Sequence, residues 1–193
     1  MKEIIVVGAG YGGLAASALL AKEGHKVTVI EKNEQVGGRA GMFKKDGFSF
    51  DMGPSWYMWP QVFDRFFAEF GKDAKELLKL KRLDPSYRAY FNDGDVIDIS
   101  SDIQKNYELF DTLEENGAEK LRRYLEACKK QYDIAMRSLV YRTYNSVFDL
   151  FSPSMIIDVL RLKGFSSFHG SVKKYFKNPK AQKLLEWVTV FLG

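Results

Sequence analysis

The first thirty residues combine two short apolar runs with a glycine-dense turn and a segment of small residues between them. Residues 4–7 are β-branched and predict a strand, while residues 14–20 are small and favour a helix. Residues 25–30 predict a second strand. Residues 4–21 carry no charged side chain, but this internal order predicts a βαβ unit rather than a signal peptide or a membrane span.

Two further patterns predict a helix and a hairpin before residue 101. Apolar side chains between Pro60 and Gly71 form one helical face, at Val62, Phe63, Phe66, Phe67 and Phe70. Residues 87–91 and 96–100 have strand character, and they flank the turn sequence Asn92-Asp93-Gly94-Asp95. Such a turn between two strands is typical of a β-hairpin.

Beyond the hairpin the periodicity is helical. Apolar and small side chains recur at helical spacing, at Leu121, Tyr124, Leu125, Cys128, Tyr132 and Ala135. We therefore expect Cys128 to be a small core residue rather than a nucleophile. Pro153, Gly164 and Pro179 divide the remaining residues into further helices.

The turn after the first strand has the pattern of a phosphate-binding loop. Gly8, Gly10 and Gly13 match G-x-G-x-x-G at the start of a helix. The first glycine permits a sharp turn, the second lets a pyrophosphate approach the backbone, and the third lets the helix pack against the strand. Together with Gly12, these glycines are candidate cofactor-binding residues. Leu14 follows Gly13, which excludes a nucleoside triphosphatase loop because that loop continues Gly-Lys-Ser/Thr.

An acidic residue ends the second predicted strand. Glu31 follows Gly13 by 18 residues, where this fold places a carboxylate against ribose hydroxyls. The same carboxylate would repel a 2′-phosphate. Glu31 and the adjacent Lys32 are therefore candidate cofactor-binding residues, and the sequence predicts an adenine dinucleotide.

The next segment carries a resemblance to a known family. Val36-Gly37-Gly38-Arg39-Ala40 is followed by Phe50-Asp51-Met52-Gly53-Pro54-Ser55. This order resembles the flavoprotein superfamily of amine oxidases, protoporphyrinogen oxidase and carotenoid desaturases. The resemblance implies FAD as cofactor, with Gly53, Pro54 and Ser55 near the isoalloxazine ring. Gly37 and Gly38 would allow a close approach of the backbone, and Arg39 would contact the pyrophosphate or the flavin, so Gly38 and Arg39 are also candidate cofactor-binding residues. An arginine supplies a planar cation for such contacts.

Residues 50–67 look most like the phytoene desaturase branch of that superfamily. This branch implies a FAD-dependent desaturase of a carotenoid precursor, of phytoene or diapophytoene type, with an apolar polyene as substrate. Trp56, Tyr57, Met58 and Trp59 are then candidates for lining the path of a long hydrocarbon. The neighbouring apolar face at residues 62–70 is itself expected to be core, and the hydrocarbon path is the alternative to that interpretation.

The implied fold is α/β: a Rossmann-like FAD-binding domain of the glutathione-reductase type with a mixed or helical substrate-domain insertion. We expect residues 1–80 to be the N-terminal part of the FAD-binding domain and residues 81–193 to begin the substrate region. Desaturases of the family that it resembles are much longer, and this chain ends in an apolar run without a helix cap, so we expect the C-terminal half of a longer parent enzyme to be missing.

The composition of the chain restricts the ligands and partners that we expect the protein to bind. The chain has 29 Lys and Arg against 25 Asp and Glu without a basic run, so we expect no nucleic acid. A single Cys and two His do not supply the usual zinc ligands, so we expect no metal. The lone cysteine suits a reducing, cytoplasmic compartment. Aromatic and basic residues alternate between Tyr141 and Phe176, which predicts either peripheral membrane contact or a helical layer.

Three alternatives to a desaturase remain open at this stage. A carotenoid or retinoid isomerase or saturase would share the same first 71 residues. An amine oxidase relative would differ in the missing half. A non-catalytic dinucleotide-binding fragment belongs to another class of function. Neither His25 nor His169 lies in a motif, and the sequence identifies no catalytic acid or base.

Overall fold

The computed structural model describes residues 1–53, 56–162 and 167–191. The chain forms two compact units, Met1–Lys81 and Arg82–Gly193. Within these described ranges no helix is long and apolar enough to cross a membrane. Residues 4–21 instead form strand, turn and helix, as predicted.

The first unit begins with the predicted βαβ arrangement. Strands β1 (Glu3–Val7) and β2 (Lys26–Ile30) are parallel and are connected by helix α1 (Tyr11–Lys22). Ile4 and Val6 are half-buried, whereas Ile5 and Val7 on the opposite face are 66% and 83% exposed. Parallel sheets are normally covered on both faces. Among the described residues of this unit, one face of the strand pair is uncovered.

A hairpin follows that the sequence analysis did not predict. A short 3-10 helix (Gly38–Ala40) leads into antiparallel strands β3 (Met42–Lys45) and β4 (Phe48–Asp51). Asp46 and Gly47 between the strands both have positive φ angles, of 51° and 82°. Asp-Gly favours such a two-residue turn, so the signal was present in the sequence.

Two helices complete the first unit. Helix α2 (Pro60–Ala68) is followed by the short helix α3 (Ala74–Leu77). The five apolar side chains of the predicted α2 face are all half-buried, which confirms that face. Lys22 at the end of α1 forms an ion pair with Glu69 at 2.9 Å, and its ammonium lies 5.8 Å from the Phe70 ring centroid. These contacts join α1 to the end of α2.

The second unit begins with the predicted hairpin, formed by strands β5 (Tyr87–Tyr90) and β6 (Val96–Ile99). Helices follow: α4 (Ile103–Leu113), α5 (Gly117–Ala135), a π-helical turn (Met136–Val140) and a 3-10 turn (Val147–Phe151). The last are α6 (Pro153–Arg161), α7 (Phe168–Lys173), α8 (Pro179–Glu186) and a 3-10 turn (Trp187–Phe191). Pro153 and Pro179 begin helices, as predicted. Gly164 lies outside the described residues.

The core of the second unit joins the hairpin to helices α4, α5, α7 and α8. Its buried members are Ile97, Phe110, Leu121, Tyr124, Val172, Phe176, Ala181 and Leu184. The rings of Phe110 and Phe176 meet edge to face at 5.3 Å. Cys128 is half-buried and packs against this cluster, which agrees with the predicted core role. Burial raises the pKa of its thiol, which disfavours the reactive thiolate.

A carboxylate joins two helices of this unit. Glu114, directly after α4, accepts hydrogen bonds from the backbone N–H groups of Lys177 and Asn178 at 2.8 and 3.0 Å. Its other oxygen accepts from the Lys120 ammonium at 2.5 Å. Burial opposes ionisation of Glu114, but these donors outweigh it and hold the pKa of the carboxyl below its usual value.

Candidate dinucleotide-binding site

The glycine loop lies at the carboxyl edge of the strand pair. Gly8 has a φ of 100°, and its N–H donates to the Ile30 carbonyl at 2.7 Å, so the loop starts as a continuation of the sheet. A Cβ on Gly13 would clash with the Gly8 carbonyl oxygen and lie 3.6 Å from Val6 Cγ1. Gly13 therefore permits close packing of α1 against the strand, as the sequence predicts.

Open space remains above the loop where a ligand could approach the backbone. A Cβ built on Gly8, Gly10 or Gly12 would meet no other atom of the described chain within 4 Å. Gly10 stands at the N-cap of α1 without a side-chain cap, and the first turn holds no acidic residue. The first N–H groups of a helix have no partner within the helix, and together with the positive end of the helix dipole they favour an anion there. The loop thus fits a pyrophosphate.

Glu31 lies beside the loop and binds it directly. Its carboxylate accepts from the Ala9 N–H at 2.7 Å and, through the other oxygen, from the Asn33 backbone and side chain at 3.0 Å. The Ala9 bond, followed by the Asn33 bond, lowers the pKa of Glu31. The carboxylate that was predicted to face ribose is thus hydrogen-bonded to the glycine loop.

The second glycine pair approaches the first loop. The Gly37 N–H donates to the Ala9 carbonyl at 2.7 Å, and Gly10 and Gly37 form an isolated parallel bridge. Gly38 has a φ of 59°, and a Cβ there would lie 3.2 Å from the Gly10 Cα. The sequence analysis expected this pair to allow a close approach of the backbone. In the structure the close approach is to the glycine loop itself.

Arg39 and Gly53 are neighbours in space. The Arg39 side chain is exposed on the short 3-10 helix after Gly37. A Cβ on Gly53 would lie 2.5 Å from the Arg39 carbonyl oxygen, so only glycine allows this approach. The hairpin of β3 and β4 returns the chain to this point. Pro54 and Ser55, which were also predicted to bind the cofactor, lie outside the described residues.

Two cavities flank these elements. A groove of about 800 Å³ contains Lys32 and Gly38, together with Asn33, Glu34, Gln35, Met42, Phe43, Lys44 and Met52. A second cavity of about 380 Å³, here called the aromatic cleft, is lined by Tyr11, Ala40, Trp56, Tyr57, Met58, Phe63, Leu78 and Leu80. The lining of the groove is mixed, with Lys32 and Asn33 among its polar members and Met42, Phe43 and Met52 among its apolar members, whereas the cleft is mostly apolar.

The described residues offer few other groups for metal binding or acid–base chemistry. No group of three or more His, Cys, Asp or Glu that could hold a metal occurs there. His25 precedes β2 and so lies at the amino edge of the strand pair, opposite the glycine loop. His169 belongs to the second unit, where its Nδ1 lies 2.7 Å from Glu186 Oε1.

Several known proteins are similar to this chain over most of its length. A family described as "flavin containing amine oxidoreductase" matches residues 11–193. Carotenoid 3,4-desaturase of Haloarcula japonica is 42% identical over all of this chain and 39% of its own length. A 4,4′-diapophytoene desaturase of Staphylococcus haemolyticus is 38% identical over 98% of this chain and 38% of its own. The chain thus spans about two fifths of the length of these relatives.

A solved structure supports the fold. A triple mutant of putrescine oxidase superposes with a TM-score of 0.50 at 19% identity, covering 96% of this chain and 36% of that one. The α/β fold of a FAD-binding domain, predicted from the sequence, is confirmed. FAD is the cofactor, and the open space above Gly8, Gly10 and Gly12 fits its pyrophosphate.

Proposed function

Because this chain belongs to the flavin containing amine oxidoreductase family, we propose that it is part of a FAD-dependent desaturase of a carotenoid precursor. The supporting observation is the pair of relatives named as carotenoid and diapophytoene desaturases, which are 42% and 38% identical across essentially the whole chain. An apolar polyene of phytoene or diapophytoene type is the proposed substrate. The aromatic cleft, whose lining includes Tyr11 at the start of α1, offers an apolar surface suited to a polyene.

In the proposed reaction the precursor loses a hydride from an allylic carbon to the flavin and a proton from the adjacent carbon, which extends the conjugated system. The protein's part is to bind and orient. N–H groups at the start of α1 hold the pyrophosphate, Glu31 and Lys32 face the ribose side, and Arg39 with Gly53 lies toward the flavin. Gly38 keeps the second loop against the first.

We assign a different proposed role to each of the two units. The first unit, corresponding to residues 1–80, holds the dinucleotide, and residues 81–193 begin the substrate region. Pro54 and Ser55 are proposed to lie near the flavin ring on the basis of the family resemblance. The C-terminal part of the parent enzyme is proposed to complete the site.

We also propose that the protein lies in the cytoplasm and contacts the membrane surface through the second unit. The supporting feature is an apolar face at the 3-10 turn 147–151 and helix α6. Phe148 is 79% exposed, Phe151 70% and Leu160 62%, while Arg142 and Arg161 are the nearby cations. Apolar side chains flanked by cations are typical of a helix in the bilayer interface.

The desaturase proposal is tested with the full-length protein, reconstituted with FAD and phytoene in liposomes. We expect products with longer conjugation, which absorb at longer wavelength, and loss of two mass units for each new double bond. An isomerase would keep the mass and a saturase would raise it. Turnover of amines without turnover of polyene would indicate an amine oxidase, and flavin binding without any turnover a non-catalytic module. Each of these last outcomes would refute the proposal.

The membrane proposal is tested by sedimentation with anionic vesicles. Replacing Phe148 and Leu160 by Ser removes two large apolar groups, each worth about 1.5–3 kcal/mol when buried. We expect vesicle binding to fall by at least about tenfold. Val96→Ser, at a side chain 52% exposed on β6, is the matched control and should bind as the parent protein does. Equal binding by all variants would refute this contact surface.

A further inference from the structure

The Glu31 carboxylate is held from two sides. Asn33 donates two hydrogen bonds to Glu31 Oε1, one from its backbone N–H and one from its side-chain amide, each at 3.0 Å. The other oxygen, Oε2, accepts the Ala9 N–H of the glycine loop at 2.7 Å. The two oxygens therefore have different partners, because one faces Asn33 and the other faces the loop.

These bonds fix a side chain that would otherwise be free to turn. The terminal torsion of a glutamate has a broad distribution, and Glu31 is half-buried directly after β2. Two donors on Oε1 and one on Oε2 select the orientation in which all of them are satisfied. Asn33 is itself exposed, and its side-chain amide has Glu31 as its partner. The amide therefore acts on the carboxylate instead of packing into the core.

Asn33 holds the carboxylate without neutralising it. The pKa of Glu31 is lowered first by the Ala9 N–H and then by the Asn33 N–H, and the Asn33 side chain contributes in the same direction. An ionised carboxylate accepts hydrogen bonds, so it suits the hydroxyl groups of a ribose. Three charged side chains line the same groove as Asn33, those of Lys32, Glu34 and Lys44.

We propose that Asn33 is a positioning residue for FAD, which holds the Glu31 carboxylate in the orientation that binds the glycine loop and faces the ribose. The inference rests on the proposed function for the contact between Glu31 and the dinucleotide. It adds a residue to which the sequence analysis gave no role. An acceptor that is already oriented before the ligand arrives reduces the ordering cost of binding. The Asn33 amide thus acts on FAD affinity through Glu31.

A double-mutant cycle on the flavin-free, full-length protein tests whether Asn33 acts through Glu31. Asn33→Ala removes the side-chain donor and keeps the backbone donor. We expect it to raise the dissociation constant of FAD, measured by isothermal titration calorimetry, by about threefold to tenfold. In a Glu31→Ala background the same change should have no further effect, because no carboxylate is left to hold. Equal weakening in both backgrounds, or no weakening in either, would overturn the inference.

The pH profile of Asn33→Asp is a readout that a merely structural role would not change. This variant keeps the size of the side chain but sets a second carboxylate against Glu31 Oε1, at the place of an amide nitrogen 3.0 Å away. Two carboxylates this close share a proton as pH falls, and the shared proton restores a hydrogen bond between them. We expect FAD to bind the variant more weakly than the parent at about pH 8, with the ratio of dissociation constants falling toward one by about pH 5. A ratio that stays constant with pH would contradict the role of Asn33.

Gln35→Glu is the matched control for charge. Gln35 lines the same groove, but its side-chain oxygen accepts the Met42 N–H at 3.4 Å, whereas Glu31 takes hydrogen bonds from Ala9 and Asn33. The change adds the same negative charge to the groove, so any weakening by general repulsion should be the same across this pH range. A recovery at low pH as large as that of Asn33→Asp would assign the effect to general repulsion and overturn the inference.

These binding measurements separate the inference from the proposed function. An effect of Asn33 that depends on Glu31, in a protein that desaturates no polyene, would support the positioning role and refute the desaturase. Desaturation of phytoene by a protein whose FAD affinity is independent of Asn33 would keep the desaturase and overturn the positioning role.

Discussion

Replacing two adjacent glycines of α1 by alanine should have opposite effects on stability. At Gly12 a Cβ would meet nothing within 4 Å, and a helical Gly→Ala change stabilises by about 0.5–1 kcal/mol. At Gly13 a Cβ would overlap the Gly8 carbonyl oxygen, well inside the 3.0 Å that real Cβ contacts keep, and it would lie 3.1 Å from the Gly8 carbonyl carbon. Those are backbone atoms that cannot rotate away, so the overpacking cost is about 1–3 kcal/mol or more.

The two variants should therefore differ by about 1.5–4 kcal/mol in free energy of unfolding. Urea denaturation of the full-length, flavin-free protein, followed by circular dichroism, measures this difference. A FAD titration of the same samples adds a second readout, because the Cβ of Gly12→Ala points into the space proposed for the pyrophosphate. We expect Gly12→Ala to be stable and to bind FAD weakly.

Equal stability of the two variants would refute the close packing of α1 on the end of β1. FAD binding by Gly12→Ala at the parent affinity would refute the position proposed for the pyrophosphate. Together the two measurements separate a glycine that the protein's own packing requires from one that the ligand requires.

Three further predictions concern carboxylates and the second glycine segment. Glu31→Gln should destabilise the protein near neutral pH, and the difference in stability from the parent should shrink as pH falls below about 4.5. The pKa of Glu31 is lower in the folded than in the unfolded chain, so its carboxylate stabilises the fold above the unfolded pKa, and this stability is lost as pH falls through the folded pKa. Urea midpoints of both proteins over a series of pH values measure the difference, and parallel curves would contradict the prediction. Glu114→Ala should lower the free energy of unfolding by about 2–4 kcal/mol, since two backbone N–H groups lose their acceptor. The matched change at the exposed Glu115, Glu115→Ala, should alter it by less than about 0.5 kcal/mol. Urea denaturation measures both variants, and similar losses would refute the role of Glu114 in connecting α4 to the start of α8. Gly53→Ala should push its segment away from the Arg39 carbonyl and reduce the FAD that is retained after desalting. Full retention of FAD would show that the contact between Gly53 and Arg39 is not needed for FAD binding.

Local patterns in the sequence were sufficient for the elements of the first unit that carry the glycine loop. β-Branched runs, small helix-forming residues and glycine spacing predicted β1, α1 and β2, and the structure confirms all three. The same holds for α2 and for the hairpin of β5 and β6. These elements depend on neighbours in sequence, so the periodicity of side chains and the turn residues identify them. The Asp46-Gly47 hairpin was missed although its turn signal is equally local.

Contacts between distant segments were decided only by the tertiary structure. The sequence placed Glu31 near a ribose, but it is the folded chain that brings its carboxylate to the Ala9 N–H, 22 residues away. It likewise brings Gly38 against Gly10, and Gly53 against Arg39. The packing that buries the Tyr57 hydroxyl, with no partner among the described residues, is of the same kind. Sequence spacing constrains residue types and local conformation, whereas the direction in which a loop returns depends on the packing of every element between its ends. The kind of cofactor could therefore be read from residues, while the reasons for individual glycines and acids came from the fold.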